Sequence, residues 1–277
     1  MDRVKNYLNK LDATNKELLQ TATLAALEAG AILQDLYKNP HNIKFKGEID
    51  LVTEADIASE KAIISILSEK TPSISILAEE SAANNIDVQA GPVWIIDPLD
   101  GTTNFAHGFP YFCVSIALYH HNMTKLGVIY EPMLDELFYG VSGAGSMLNN
   151  DLLSVSSTKT LNHSLLATGF PYDVRENSDE VIAALHEMLT KAQGIRRAGA
   201  AALDLAYVAA GRFDGFWEIK LKPWDTAAGL LLVQEAGGKV TDFKNRDYSP
   251  FCKEILASNS MIHHEMTTIL EKYTLTK

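Results

Sequence analysis

The stretch Trp94-Ile95-Ile96-Asp97-Pro98-Leu99-Asp100-Gly101-Thr102-Thr103-Asn104-Phe105 narrows the possible folds more than any other part of the chain. Its apolar opening predicts a buried strand, since a short apolar run bounded by turn residues suits a strand covered on both faces. Asp97 falls at the end of that strand, and Pro98, which cannot donate to a ladder, predicts that pairing stops there. Asp100, Gly101 and two threonines follow and suit the opening of a helix. A tight strand-to-helix turn lets both carboxylates converge on one point, beside the backbone N–H groups of Gly101, Thr102 and Thr103. Hard divalent cations take oxygen ligands of this kind, and Mg²⁺ commonly combines one or two carboxylates with waters and a phosphate.

Taken alone, Asp-x-x-Asp before a helix also describes a solvated turn with a capping acid. Acids in similar settings recur, however. Glu79 and Glu80 end an apolar run at 74–78, Asp56 closes Thr53-Glu54-Ala55 at a helix entry, and Asp225 follows Pro223-Trp224 ahead of an apolar helix at 226–236. Each has its own plain explanation as a cap or a loop acid. Four such junctions are harder to dismiss together. Burying Glu79, Asp97, Asp100 and Asp225 side by side would cost roughly several kcal/mol per uncompensated charge, and two Mg²⁺ would neutralise the set.

The rest of the 277-residue chain supplies a frame for these junctions. A capping box at Thr14-Asn15-Lys16-Glu17 and helical spacing over 18–36 predict a first helix, stopped by Asn39-Pro40. An extended piece at 50–53 precedes a second helix at 56–70. Strands are expected at 74–78, 93–96, 112–119, 125–130 and 136–141, the last three as an antiparallel meander. This N-terminal half, residues 1–150, reads as α+β and holds most of the candidate ligands. In the C-terminal half, 151–277, helices at 179–192, 200–210 and 226–236 alternate with strands at 165–168, 213–218, 239–241 and 255–257, a layered α/β pattern. No internal repeat or low-complexity linker separates the halves, so they are expected to share one interface.

A net charge of −11, from 24 basic and 35 acidic residues, argues against a nucleic-acid partner, yet bound cations can reverse the local field for a small anion. Cys113 and Cys252 are too few for a disulfide framework and read as reduced core thiols. With no run long enough to span a bilayer, no membrane partner and a cytoplasmic location are expected.

Asp97-Pro98-Leu99-Asp100-Gly101-Thr102-Thr103-Asn104-Phe105 resembles the first signature of the inositol monophosphatase family. Pro223-Trp224-Asp225-Thr226-Ala227-Ala228-Gly229, continuing to Glu235-Ala236-Gly237-Gly238, resembles its second. Asp50-Leu51-Val52-Thr53-Glu54-Ala55-Asp56 and Glu79-Glu80-Ser81 extend the likeness over nearly the whole chain. The resemblance implies an α/β fold, a layered αβαβα sandwich, usually dimeric, that hydrolyses small phosphate monoesters with two or three Mg²⁺. It implies that Glu79, Asp97 and the Leu99 carbonyl hold a first ion, and that Asp97, Asp100 and Asp225 hold a second. A third, weaker ion falls near Glu79. Asp56 and Thr102 match the pair that orients and deprotonates the attacking water, with Glu79 beside them in the catalytic set. Gly101 and Thr102 are expected to hold phosphoryl oxygens, while Asp100, Gly199, Ala200, Ala201, Glu218 and Asp225 face the substrate. Ala200 departs from the Ser or Thr of many relatives, which removes a possible side-chain contact.

Inositol 1-phosphate is the first substrate implied and fructose 1,6-bisphosphate its nearest rival; other members of the superfamily take histidinol phosphate, NADP or 3′-phosphoadenosine phosphates. Lithium inhibition is a further implication. A regulatory or binding protein that retains the site is the alternative of a different class. His107, His120 and His121 lack a zinc spacing or a matched Ser/Asp partner and read as structural. Arg196 and Arg197 read as partners of acids or of another subunit, with phosphate contact as the alternative. The 170–175 segment reads as a surface loop or as a specificity loop in which Arg175 reaches a second phosphate.

Overall fold

After the single turn α1 (Lys5–Leu8), apolar residues recurring every three to four positions make α2 (Ala13–Tyr37) helical. The structure is a computed structural model describing residues 4–37, 43–45, 51–81, 87–176 and 178–275. The start of α2 corrects the expected capping box: the Asp12 carboxylate accepts from the Asn15 N–H at 2.9 Å, so the cap lies upstream of Thr14. The Asn39-Pro40 stop lies outside the described residues, as does Asp50. A short antiparallel pair, β1 (Ile43–Phe45) and β2 (Leu51–Thr53), leads into α3 (Glu54–Lys70). Thr53 caps α3, its Oγ1 accepting from Ala55 N at 3.1 Å, so the helix begins two residues before Asp56.

A larger sheet follows in chain order: β3 (Ser75–Ala78), β4 (Val93–Asp100), β5 (Cys113–His120), β6 (Met123–Glu131), β7 (Glu136–Val141), β8 (Ser146–Leu148) and β9 (Asp151–Leu152). Among the described residues, β3 and β4 alone run parallel within it, and the other neighbours are antiparallel. The short α4 (Thr102–Ala106) leaves the end of β4. The second sheet is mixed, with β10 (Leu165–Thr168), β11 (Gly194–Arg196), β12 (Gly215–Ile219), β13 (Lys239–Thr241) and β14 (Glu254–Ser258) in the order β11-β10-β12-β14-β13. Its helices are α5 (Asp179–Leu189), α6 (Ala201–Ala209), α7 (Pro223–Glu235) and α8 (His263–Leu270).

The period of two along each strand separates the layers. On β4, Val93 and Ile95 join the interior shared with α6 and α7, whereas Trp94 and Ile96 join the one shared with α2 and α3. Cys113 and Ala117 of β5 divide from Val114 and Ile116 in the same way. A third interior packs Leu166, Trp217 and Leu256 of the second sheet against Met188 of α5 and Met266 of α8. The layers are therefore α2/α3, sheet, α6/α7, sheet, α5/α8: an αβαβα sandwich.

Small residues let α7 lie close between its neighbours. A Cβ on Gly127 of β6 would sit 2.8 Å from the Ala228 carbonyl oxygen, and one on Gly229 would sit 2.5 Å from Leu205 Cβ of α6. This close packing brings the first turn of α7, with Asp225, up to the end of β4.

Departures from the expected elements have local causes. The 179–192 helix ends at Leu189, where Thr190 caps it and the chain turns toward β11. The 213–218 strand begins only at Gly215, because the Phe213 N–H completes the turn after α6 by donating to Tyr207 O. α1, β8, β9 and β11 are too short to show a period, and α8 is half polar.

His263, at the start of α8, gives a pH prediction. Its ring nitrogens meet Ser258 Oγ at 2.8 Å and Thr241 Oγ1 at 2.9 Å, and burial followed by the Lys239 charge lowers its pKa from 6.5 to about 4. The unfolded chain therefore takes the proton first. Stability from this residue is complete above pH 6.5 and declines as pH falls through 4, by about 3 kcal/mol. Melting curves should show that decline in the parent chain and a shallower one in His263→Gln; equal slopes would contradict it.

Candidate active site

Strand residues three apart ordinarily point to opposite faces. Asp97 pairs with Ser115 and Asp100 with Cys113, so three steps on β4 match two on β5. The extra residue is a β-bulge, and it returns both carboxylates to the α7-facing side. The ladder thus does not stop at Pro98, as the sequence suggested; it continues to Asp100, with the proline taken up in the bulge, where strands tolerate it. Buried Ser59 of α3 donates to the Pro98 carbonyl at 2.7 Å and fixes the bulge from below.

Four chain segments meet there. Asp97 is 2% exposed, and its Oδ1 accepts from the Leu99 N–H at 3.0 Å. Asp100 Oδ2 accepts from the Ala202 N–H at 2.7 Å, in the first turn of α6. Asp225 is the third residue of α7, behind Pro223, and its Oδ2 accepts from the Lys222 N–H at 2.7 Å. Glu79 stands just beyond β3, its N–H donating to Ile96 O at 3.3 Å. The next N–H, that of Glu80, is held at 2.9 Å by Glu60 of α3. Glu79, Asp97, Leu99, Asp100, Gly101, Thr102 and Asp225 line one pocket, together with Tyr172, Lys222 and Trp224.

The electrostatics of this pocket are those of crowded acids. Burial pushes the Asp97 carboxyl well above the ordinary range, and the charges of Glu79, Asp100 and Asp225 push it further. Burial raises Asp100 to about 7 against the opposing Ala202 hydrogen bond, with Glu79 adding to the rise. Among the described residues, no three Asp, Glu, His or Cys side chains are drawn into a closed ligand cluster. The acids instead share a pocket and repel one another, and backbone N–H groups engage one oxygen each of Asp97, Asp100 and Asp225. The donors are carboxylates and the Leu99 carbonyl, all oxygen, which fits a hard cation such as Mg²⁺ better than Zn²⁺ with its His and Cys preference. A cation would also let these acids ionise together at neutral pH.

Beside the pocket lies a hydroxyl–carboxylate pair. Thr102 Oγ1 donates to Asp56 Oδ1 at 2.9 Å, with the Leu99 carbonyl a longer alternative at 3.1 Å. The other oxygen of Asp56 accepts from Thr53 N at 2.8 Å and from Thr53 Oγ1 at 2.7 Å, so the carboxylate is held from both ends. Asp56 is fully buried, and burial raises its pKa despite these bonds. Gly101 has φ +97°, and a Cβ there would lie 2.9 Å from Tyr111 O, so this turn requires glycine. Cys113, under Asp100, has its thiol pushed well up by burial and then by the Asp100 charge, the reverse of what a nucleophile needs.

A cleft of about 450 Å³ opens from this point toward the second sheet, within the size range of small-molecule sites. Asp100, Gly199, Ala200, Ala201, Glu218 and Asp225 all line it. Glu218 rests against Gly169, where an added Cβ would stand 2.1 Å from Glu218 Oε2. Burial pushes Glu218 well above the carboxylate range, Asp204 and Asp225 add to this, and Arg197 opposes it. Ala200 is the N-cap of α6 and offers no side-chain bond; the Asp100 carboxylate engages the first turn of that helix instead.

Three residues of the site escaped the sequence reading. Asp204, 1% exposed on α6, receives the Tyr111 hydroxyl at 2.9 Å and lines the cleft; its one signal was an acid inside the apolar run Ala202-Leu203-Asp204-Leu205-Ala206. Asn104 donates from Nδ2 to Tyr111 O at 2.7 Å and Ala198 O at 2.9 Å, tying α4 to the segment before α6. Glu60 holds the turn beyond Glu79, and nothing in the sequence marked it. Arg197 stacks over Phe170, 5.5 Å from the ring centroid, and eases the charge of Asp204 and Glu218. Arg175 is exposed and outside the described cleft lining. His120 and His121 stack on each other at 3.7 Å at the β5–β6 turn, and His107 caps α4; none of the three lines the cleft or the pocket.

Residues 14–275 match the model of the inositol monophosphatase family. An inositol-1-monophosphatase from Synechocystis is 43% identical over 91% of this chain and 88% of its own. Nus factor SuhB of Escherichia coli K12 is 42% identical over 88% and 92%. The solved structure of an Anabaena inositol monophosphatase superposes with a TM-score of 0.85 at 44% identity, over 94% of this chain and 97% of that one. A five-layer sandwich with an acid-lined pocket opening on a cleft, in a chain similar over most of its length to such relatives, is that of a phosphatase acting on a small phosphate ester. The chain belongs to the inositol monophosphatase family. Among the described residues, no helix is long and apolar enough to cross a membrane.

Proposed function

We propose that this phosphatase hydrolyses inositol 1-phosphate with Mg²⁺, and that its two halves work as one unit within a homodimer. The observation that carries the reading is the meeting of Glu79, Asp97, Leu99, Asp100 and Asp225 in one pocket beside the Thr102–Asp56 pair. Glu79, Asp97 and the Leu99 carbonyl are the proposed holders of one ion, and Asp97, Asp100 and Asp225 of another. Bound Mg²⁺ supplies Lewis-acid stabilisation of phosphoryl oxygens and lowers the pKa of water.

The chain's own residues do the rest. Gly101 and Thr102 offer backbone N–H groups to the phosphoryl oxygens. Thr102 Oγ1 takes a proton from the attacking water and passes its own to Asp56 Oδ1, whose raised proton affinity suits it to accept. Glu218, Asp225 and the Gly199-Ala200-Ala201 backbone face the hydroxyls of the alcohol portion. The Asp100–Ala202 and Asn104–Ala198 hydrogen bonds support the reading that both halves set this geometry jointly.

A phosphate-release screen over inositol 1-phosphate, fructose 1,6-bisphosphate, histidinol phosphate and NADP tests the reading. Inositol 1-phosphate should have the highest kcat/KM, with release lost on chelation, restored by Mg²⁺ and inhibited by millimolar lithium. Another ester ahead by about tenfold would overturn the substrate, and full release under chelation would overturn the metal. The name of the Escherichia coli relative supports a second reading, a regulatory protein that retains the site. Absence of release from every ester would favour that one.

A further inference from the structure

Strand β12 carries Glu218 into the cleft, and two residues later the chain turns at Lys220 with φ +62°. That left-handed conformation is uncommon for a residue with a side chain, and glycine adopts it freely. Lys220 is held there twice: its N–H donates to Lys253 O at 2.6 Å, and its ammonium pairs with the Asp173 carboxylate. Asp173 belongs to the segment that leaves β10, the parallel neighbour of β12, with Thr168 opposite Trp217. The pair therefore joins the two loops that follow adjacent parallel strands, the place where open α/β sheets commonly seat ligands. Both residues line the cleft together with Glu218 and Asp225.

The same segment is held a second time at Phe170, under the Arg197 guanidinium. Between these two tethers stands Tyr172, 64% exposed, which borders both the cleft and the carboxylate pocket. The side chains of Lys220 and Asp173 are 33% and 39% exposed, so their ion pair adds little to overall stability. A strained backbone kept for so small a gain points to position rather than to stability.

We propose that the Lys220–Asp173 pair is a strap that fixes the cleft wall formed by residues 170–174, and that Lys220 is a positioning residue for the alcohol portion of the substrate. This rests on the phosphatase reading of the cleft. The phosphate seat at Gly101 and Thr102 lies on a different element, so the strap governs how the remainder of the ester is held.

The test is steady-state phosphate release from inositol 1-phosphate at saturating Mg²⁺, with inhibition by inorganic phosphate and thermal melting measured alongside. Lys220→Gly and Asp173→Asn should each raise KM about fivefold with kcat within about twofold, and leave the phosphate inhibition constant unchanged. Lys220→Gly should melt at the parent temperature or above, since glycine suits the turn; a purely structural role would lower melting together with activity. The exchanged pair D173K/K220D should recover most of the KM, and added salt should raise KM in the parent but not in Lys220→Gly. Unchanged KM in both single variants of an active parent would overturn the strap alone. A parent that releases no phosphate would overturn the functional reading and the strap with it.

Discussion

Asp100→Asn is expected to lower phosphate release by at least about 10³-fold while the protein melts at the same temperature or higher. The substitution keeps shape and one oxygen, so the amide can still accept from Ala202 N–H and the first turn of α6 keeps its partner. What it removes is charge. Asp100 is half-buried, and desolvation, with the Glu79 charge adding to it, raises it to about 7, so a neutral side chain relieves both costs in the unliganded protein. The same neutrality makes it a poor ligand for Mg²⁺, which favours charged oxygens. Melting should accordingly rise with added Mg²⁺ in the parent and far less in the variant, because an ion that binds the folded state stabilises it by mass action. Full activity in Asp100→Asn, or an undiminished Mg²⁺ response, would refute the assignment of this residue.

Thr102→Ala and Asp56→Asn are expected to slow turnover by about 10²- to 10⁴-fold while the Mg²⁺-dependent rise in melting persists. Both belong to one proton path, so the double variant should be little worse than the poorer single one. Thr102→Ala is the cleaner change, since it leaves the Thr53–Asp56 bonds of the α3 cap in place. Asp56→Asn must turn an amide NH₂ toward either Thr53 or Thr102, and loosening the cap should cost about 1 kcal/mol besides. Loss of the Mg²⁺ response with kcat preserved would place these residues in metal binding and contradict the proton-path role.

The strands around the site were legible because strands covered on both faces read as short apolar runs between turn residues: β5, β6 and β7 fall within two residues of expectation, and β4 starts where expected but runs four residues further. The candidate acids were legible because carboxylates at helix entries are conspicuous beside apolar runs. The local geometry was not. A proline after Asp97 looks like a terminator, and nothing along the chain announces that β4 takes it up in a bulge opposite β5. The Thr14 capping box lost to Asp12 because both offer an acceptor, and sequence alone does not rank them. Asp204 and Glu60 stayed hidden because their roles depend on partners far along the chain, Tyr111 and Glu80, which only the packing of layers brings near.

Leu99 looks two ways at once. Its side chain is buried with α2 and α3, while its carbonyl stands 3.1 Å from the Thr102 hydroxyl in the acid-lined pocket. No exchange of side chain at this position can delete that oxygen, so this element of the site is invisible to a search for lost functional groups. Hydrophobic volume beneath the sheet reaches it nonetheless, across a single peptide unit. Activity in such a chain can therefore drift through substitutions in oily interior positions that touch neither ion nor ester.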